Sequence, residues 1–329
     1  MGKESPPLLR VENLKVWFPV GRSSLLSMFR KERKYVRAVD GVSFDIDKGG
    51  SFSLVGESGA GKTTTGLSIV DVYKPTEGRI LFNGIDVHNA DRKTAKELRR
   101  KIQMIFQDPF ESLPPHMTVF DILGEGIDLY RLAGSAAEKF DIVAKALEQV
   151  GIVPPEQYVD KYPHQLSGGQ RQRIAIASVL ILHPELVVAD EPVSMIDVSL
   201  RWDIIKLFMD LRAQFGLAYI FVLHDLALAK CISTHIAILY LGQIVELGEM
   251  DDVIRSPMHP YAQALISVAP SQRRREKILL RGEIPNPIDM PSGCRFHPRC
   301  PVASDRCSKL EPQLVETESK HFVRCLLST

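Results

Sequence analysis

The sequence predicts an α/β fold in which helices flank a mixed sheet. Short apolar strands alternate with helical patterns over residues 8–248, and we find no internal repeat. Three early segments, 9–18, 36–46 and 79–87, have strand-like patterns and are joined by stretches that contain Asp-Gly and Asn-Gly turn pairs. These segments predict a small antiparallel β subdomain beside the main sheet.

The pattern along the chain predicts three parts. Between residues 107 and 185 it is mostly helical, with the clearest periods over 136–150 and 170–182, so we expect an inserted helical subdomain there. The catalytic core would then comprise 8–106 and 186–250. A basic run and a proline-rich stretch lead into a cysteine-rich tail, so a C-terminal extension is expected at 251–329.

Bulk composition is that of an ordinary soluble globular protein. The 329 residues are 45% hydrophobic and carry a formal net charge of +1, so no overall field attracts nucleic acid, and none is expected as a partner. The N-terminus lacks the pattern of a secretory signal, and no apolar stretch approaches the roughly 20 residues that span a bilayer. We therefore expect a cytosolic protein, whose role in any transport would need another chain to form the pore.

A glycine-rich loop predicts a phosphate-binding site. It fits the G-x-x-x-x-G-K-[ST] pattern, follows the apolar segment 52–55, and precedes a helix expected from Thr64. Glycines let main-chain amides converge on phosphate oxygens, Lys62 would reach the β and γ phosphates, and the Thr63 hydroxyl would bind Mg²⁺. The predicted phosphate-binding residues are Gly56, Glu57, Ser58, Gly59, Ala60, Gly61, Lys62, Thr63 and Thr64.

Two carboxylates end a second apolar strand, predicted over 186–189. Asp190 and Glu191 follow it directly, at the carboxyl edge of the sheet, where ligands bind in such folds. Asp190 is suited to hold Mg²⁺, and Glu191 to polarise an attacking water or accept its proton. An acidic pair after a strand is commonly only a turn, but its combination with the phosphate loop favours a catalytic role.

A short sequence motif then indicates a protein family. Leu166-Ser167-Gly168-Gly169-Gln170 is followed at once by a predicted helix, and with the two motifs above it resembles the signature of the ATP-binding cassette (ABC) family. The resemblance implies a P-loop NTPase core with a RecA-like mixed sheet, and ATP as the ligand. It also implies that two cassettes meet head to tail, with Ser167, Gly168, Gly169 and Gln170 facing the γ-phosphate held by the other subunit.

Further family positions follow by the same resemblance. Gln107 is similar to the glutamine that contacts Mg²⁺ and water, and His224 to the histidine that contacts the γ-phosphate. A lone histidine after a strand is more often structural, so the assignment of His224 depends on the other motifs. For adenine stacking we favour Tyr35, with three other aromatic residues as alternatives: Trp17, Phe18 and Phe29.

Four of the five cysteines cluster near the C-terminus, whereas Cys231 stands alone. In a reducing cytosol such a cluster indicates a metal or iron–sulfur site before it indicates disulfides. The tail, with Gly282-Glu283-Ile284-Pro285 ahead of it, resembles the extension of oligopeptide and dipeptide importer ATPases, where four such cysteines can hold a [4Fe-4S] cluster. Zn²⁺ is the alternative, although no short C-x₂₋₄-C knuckle is present. The predicted ligands are Cys294, Cys300, Cys307 and Cys325.

The resemblance implies the hydrolysing subunit of an importer for dipeptides, oligopeptides or similar solutes. Its expected partners are two transmembrane permease subunits, a second cassette and, indirectly, an extracytoplasmic solute-binding protein, which places it peripherally at the cytoplasmic face of the cell membrane. Members of the subfamily also import oligosaccharides or nickel. A different class, cassette ATPases that act on ribosomes or DNA, typically has two cassettes or a long coiled-coil insertion, and this sequence shows neither pattern.

Overall fold

The computed structural model describes residues 6–20, 34–108, 112–268, 277–280, 282–318 and 320–327. The chain forms two compact units. The first comprises Met1–Asp91 and Val222–Thr329, and the second comprises Arg92–Phe221. The finer three-part division expected from the sequence stays a prediction.

Strands and helices alternate through both units. The strands are β1 (Leu9–Pro19), β2 (Tyr35–Ile46), β3 (Ser51–Val55), β4 (Glu77–Phe82), β5 (Ile85–Asp86), β6 (Ile102–Ile105), β7 (Leu186–Asp190), β8 (Ala218–Leu223), β9 (His235–Tyr240), β10 (Gln243–Glu249), β11 (Val315–Glu318) and β12 (His321–Val323). The helices are α1 (Lys62–Ile69), α2 (Arg92–Lys101), α3 (Val119–Tyr130), α4 (Ala136–Gln149), α5 (Gly168–Leu180), α6 (Val198–Phe215), α7 (Leu226–Ile232), α8 (Met250–Arg255) and α9 (Pro260–Ser267).

The first unit contains the predicted antiparallel sheet. Its four strands lie in the order β2-β1-β4-β5, and Leu9 pairs with Ile46 on one side and with Phe82 on the other. All three side chains are buried, because alternate residues of these strands face the interior. The prediction of a small antiparallel β subdomain is therefore confirmed.

A second set of strands in this unit has both parallel and antiparallel pairs. β3 is parallel to β9, and β9, β10, β12 and β11 continue the sheet with antiparallel neighbours. Every residue of β3 is buried, as expected of a central strand covered on both faces. This strand leads directly into the phosphate loop.

The second unit combines three strands with a group of helices. β6 and β7 are parallel, with Ile102 opposite Leu186, and β8 lies beside β7. Helices α3, α4 and α5 pack against one another. Each begins at a hydroxyl residue that accepts a main-chain hydrogen bond, Thr118, Ser135 and Ser167 respectively, which satisfies amides of the first turn. The predicted mixed α/β fold is confirmed.

In the described part of the chain, no helix combines the length and the apolar character needed to cross a bilayer.

Candidate functional site

The phosphate loop joins β3 to α1 in the first unit. The helix begins at Lys62, two residues before the expected start at Thr64, because Gly61 makes the turn itself with a φ of 99°. Only glycine adopts this conformation without strain. A Cβ at Gly61 would also lie 2.2 Å from the carbonyl oxygen of Ala38, and one at Gly56 would lie 2.3 Å from that of Leu239. Both glycines are therefore required by the close approach of neighbouring main chain.

The N-terminus of α1 is suited to an anion. Its N-cap, Gly61, has no side chain to bond the amides of the first turn, and no acidic residue lies in that turn. A Cβ at Gly59 would meet nothing within 4 Å, so the loop is open at this point. A helix N-terminus of this kind presents main-chain amides and a partial positive charge to a phosphate group.

The ammonium group of Lys62 lies over the loop. The side chain is buried, and Nζ donates hydrogen bonds to the carbonyl oxygens of Gly56 at 2.8 Å and Glu57 at 3.0 Å. A buried cation beside an open helix N-terminus fits the polyphosphate of a nucleotide such as ATP. Thr63, the next residue, is positioned on the first turn of α1.

Glu57, inside this loop, is bound by a residue that the sequence did not single out. Arg299 donates from Nη1 to Oε2 of Glu57 at 2.6 Å and from Nη2 to Oε1 at 3.2 Å. This contact joins residues 242 positions apart in the chain. The amide of Glu57 also donates to the Tyr261 hydroxyl at 3.0 Å. The only sequence signal was the acidic residue itself, which is unexpected in a loop that binds anions.

The second unit contains the predicted carboxylates. Asp190 ends β7 and is buried. Glu191 follows with a φ of 42°, in the left-handed region that a residue with a side chain adopts only at a cost. Gln107 donates from Nε2 to Oε2 of Glu191 at 2.9 Å. The structure therefore brings together Gln107 and Glu191, two of the residues predicted for catalysis.

The signature segment forms the start of α5, also in the second unit. Ser167 is the N-cap: its Oγ accepts from the amide of Gln170 at 3.3 Å, and Gln170 Oε1 accepts from the amide of Ser167 at 3.0 Å. Gly168 is open, since a Cβ there would meet nothing within 4 Å. The Ser167 hydroxyl thus already caps its own helix, while Ser167 itself is exposed.

His224 lies in the first unit, directly after β8, and is exposed. The next residue, Asp225, caps α7 by accepting from the amides of Ala227 at 2.8 Å and Leu228 at 3.3 Å. This cap fixes the main chain beside the histidine. The role of His224 toward a γ-phosphate stays a prediction.

Three of the four aromatic candidates for adenine lie on the small sheet of the first unit. Tyr35 and Trp17 have ring centroids 6.3 Å apart, and Trp17 donates from Nε1 to Oδ1 of Asp40 at 3.1 Å. The ring of Phe18 contacts Tyr73 edge to face, with centroids 5.1 Å apart. Phe29 lies outside the described residues. Tyr35 is half-buried on its strand, and its stacking role also stays a prediction.

No disulfide joins any two of the five cysteines, all of which lie in the described part of the chain. Burial raises the pKa of the Cys294 thiol to about 11, and the charges of Cys325, Cys307 and Cys300 act in the same direction, so these four side chains are neighbours. Within the described ranges, however, no group of three or more histidine, cysteine, aspartate or glutamate side chains is arranged to hold a metal ion. The arrangement of these described side chains does not match a formed metal site.

Comparisons with known proteins support the cassette resemblance. The family described as "ABC transporter" matches residues 39–194, and "Oligopeptide/dipeptide transporter, C-terminal region" matches residues 245–307. The chain is 44% identical over 326 residues to the oligopeptide transport ATP-binding protein AppF of Bacillus subtilis, covering 97% of each protein. It is 40% identical to the dipeptide transport ATP-binding protein DppF of Haemophilus influenzae, covering 98% of this chain and 97% of DppF.

A solved structure of another cassette has a similar fold. It is the dimeric structure of a post-hydrolysis state of the ATP-binding cassette MJ0796, bound to ADP and Pi. The likeness has a TM-score of 0.63 at 28% sequence identity, and it covers 74% of this chain and 98% of that one.

Proposed function

This chain belongs to the ATP-binding cassette family of transporter ATPases, and we propose that it binds MgATP on the loop 56–63 and hydrolyses it to drive the import of peptides. The observation that carries the proposal is the open N-terminus of α1 with the buried ammonium group of Lys62 beside it. A helix N-terminus without a side-chain cap, with a buried cation beside it, suits a polyphosphate.

Each proposed site residue has a role that follows from its chemistry. Lys62 would bind the β and γ phosphates, and Thr63, Gln107 and Asp190 would hold Mg²⁺, which offsets phosphate charge. Glu191 would orient the attacking water and accept its proton, while His224 would donate a hydrogen bond to a γ-phosphate oxygen. Phosphoryl transfer depends mainly on positioning and charge stabilisation, so these groups suffice without a covalent intermediate.

Two cassettes are proposed to act as a head-to-tail pair. In such a pair, the segment Ser167–Gln170 of one subunit would close the phosphate site of the other. Support comes from the open Gly168 at the start of α5 and from MJ0796, which is described as dimeric. The second cassette would be a copy of this chain or a homologous subunit.

The proposed cargo is dipeptides, oligopeptides or similar solutes. The support is the likeness to AppF and DppF over nearly the whole chain, together with the match of residues 245–307 to the peptide-transporter C-terminal region. The proposed partners are two permease subunits and, indirectly, an extracytoplasmic solute-binding protein. The cassette would then lie at the cytoplasmic face of the membrane.

Co-purification tests this function. The tagged full chain is isolated from detergent-solubilised membranes, and the bound proteins and nucleic acids are identified. We expect two integral membrane subunits, and stimulation of ATP hydrolysis when the receptor and a peptide are added. Recovery with ribosomes or DNA, and without integral subunits, would contradict a transport role. Stimulation by an oligosaccharide or by nickel, and not by peptides, would contradict the proposed cargo.

We further propose that Cys294, Cys300, Cys307 and Cys325 acquire an iron–sulfur cluster, which would require their thiols to move together. Their number and their proximity support this proposal. Protein purified without oxygen should absorb visible light, and Cys300→Ser should abolish the absorption, whereas the matched variant Cys231→Ser should keep it. Bound zinc in place of visible absorption would contradict the cluster.

A further inference from the structure

Glu57 places a negative charge inside a loop that must receive a polyphosphate. Its side chain is 29% exposed, and its main-chain carbonyl accepts one of the hydrogen bonds of the Lys62 ammonium group. An unpaired carboxylate at this position would repel the nucleotide and would compete for Lys62. The loop therefore needs a cation that pairs with Glu57 without occupying the phosphate site.

Arg299 meets this requirement from the C-terminal tail. Its guanidinium group forms two parallel hydrogen bonds with the Glu57 carboxylate, the geometry in which arginine recognises a carboxylate most strongly. The side chain is only 8% exposed, so solvent screens the pair less than it screens an ion pair on the surface. Its Nε is buried and has no hydrogen-bond partner among the described residues. Nη1 also donates to the Tyr240 hydroxyl at 3.5 Å, a longer contact than those with Glu57.

The segment that carries Arg299 is fixed by aromatic packing. Arg299 ends the short 3-10 helix His297–Arg299, directly after Phe296. The Phe296 ring is buried against Tyr240 and Tyr261, with centroids 5.2 Å and 5.4 Å apart. Tyr261 in turn accepts a hydrogen bond from the amide of Glu57 at 3.0 Å. One packed cluster thus holds the side chain and the main chain of Glu57 at once.

The same tail segment also binds β2. Arg295 forms a buried ion pair with Asp40 and donates to the carbonyl oxygen of Leu241. Asp40 accepts from Trp17, beside the candidate adenine residue Tyr35. Two arginines four residues apart therefore reach both the phosphate loop and the strand proposed to bind the base.

We propose that Arg299 is a positioning residue for ATP binding, which neutralises Glu57 and fixes the phosphate loop from the C-terminal tail. This inference rests on the proposed function, since it assigns a new residue to the same nucleotide site. Arg299 acts through Glu57 and does not contact the nucleotide. In consequence, the tail contributes to ATP affinity through the phosphate loop.

The test measures the dissociation constant of MgATP by calorimetry on the full chain, with Arg299→Ala, Glu57→Gln and the double variant. Arg299→Ala should weaken binding by about tenfold, which corresponds to about 1.4 kcal/mol. Glu57→Gln removes the carboxylate itself and is the reference against which the double variant is compared. The double variant should recover most of the lost affinity, because the repelling carboxylate is then absent. A purely structural role of Arg299 would give no such recovery.

Arg306→Ala is the matched control, since Arg306 is an exposed arginine of the same tail, and it should leave the affinity unchanged. If Arg299→Ala does not fold, Arg299→Gln replaces it in the same comparison of single and double variants. Equal affinity of Arg299→Ala and the unchanged protein, or equal losses with and without Glu57→Gln, would overturn the inference alone. Absence of MgATP binding in the unchanged protein would instead overturn the proposed function, and the inference with it.

Discussion

Gln107 donates a 2.9 Å hydrogen bond from Nε2 to Oε2 of Glu191, a residue whose main chain has a φ of 42°. Because residues with side chains adopt this conformation only at a cost, the surrounding structure must hold Glu191 in place. The hydrogen bond orients the carboxylate that is proposed to accept the proton of the attacking water. Gln107 and Glu191, which were assigned catalytic roles from separate motifs, thus form one hydrogen-bonded pair.

Replacing Glu191 with glutamine should separate binding from catalysis. The amide keeps the size of the side chain but cannot accept a proton, so kcat should fall by a factor of about 10² to 10⁴. The affinity for MgATP should remain, because Glu191 lies outside the phosphate loop. Phosphate release and equilibrium binding measure the two quantities, and near-normal turnover would refute the role of Glu191 as base.

Gln107→Ala should lower kcat through the orientation of Glu191. Residues that act as a unit have non-additive effects, so adding Gln107→Ala to Glu191→Gln should cost little more than Glu191→Gln alone. Steady-state kinetics of the two single variants and the double variant measure this coupling. Fully additive losses would show that Gln107 acts independently of Glu191.

Gly61→Ala should disrupt the phosphate loop. Its Cβ would lie 2.2 Å from the carbonyl oxygen of Ala38, and the φ of 99° strains any other residue. We expect loss of ATP binding and a lower melting temperature. Gly134→Ala is the control, because its Cβ would lie at an ordinary 3.4 Å from Oε2 of Glu138. Similar melting temperatures of the two variants would contradict the steric argument.

His259 should make stability depend on pH. Burial lowers its pKa from 6.5 to about 3, and its Nδ1 accepts a hydrogen bond from the amide of Tyr261 at 3.0 Å. The unfolded chain therefore binds a proton below pH 6.5 that the folded chain does not, and stability falls as the pH is lowered from there toward 3. At pH 5.5 the loss from this group should be about 1.4 kcal/mol.

His259→Asn removes this titration and keeps an acceptor for the Tyr261 amide. The free energy of unfolding should therefore change less between pH 7.5 and pH 5.5 in this variant than in the unchanged protein. Urea denaturation at the two pH values gives the comparison. An equal pH dependence in both proteins would show that His259 is protonated in the folded state.

The short motifs could be predicted from the sequence because their chemistry lies in adjacent residues. The phosphate loop, the carboxylates after β7 and the cap of α5 each depend on fixed local spacing, so strand, turn and helix follow from a few positions. The start of α1 at Lys62 was not predicted, because it is set by the left-handed conformation of Gly61, which the sequence does not show. Arg299 could not be paired with Glu57 from the sequence, since the fold alone joins residues 242 positions apart.

For the cysteines, local spacing in the sequence was not enough to predict a metal site. Their number and clustering suggested ligands, but spacing does not fix where side chains point. In the described ranges they form no arrangement that could hold a metal ion, although the charges of three of them raise the pKa of Cys294 together with burial. A cluster would need its iron and sulfide to draw the thiols together, which no sequence pattern can establish.

Equilibrium binding of MgATP to the purified full chain tests whether the loop at Lys62 holds a polyphosphate. The measurement uses the Glu191→Gln variant to prevent turnover, and it is repeated with EDTA and with Lys62→Ala added. We expect saturable binding that weakens strongly without magnesium and is lost with Lys62→Ala. Undetectable binding in Glu191→Gln, or binding that is indifferent to Lys62, would contradict it.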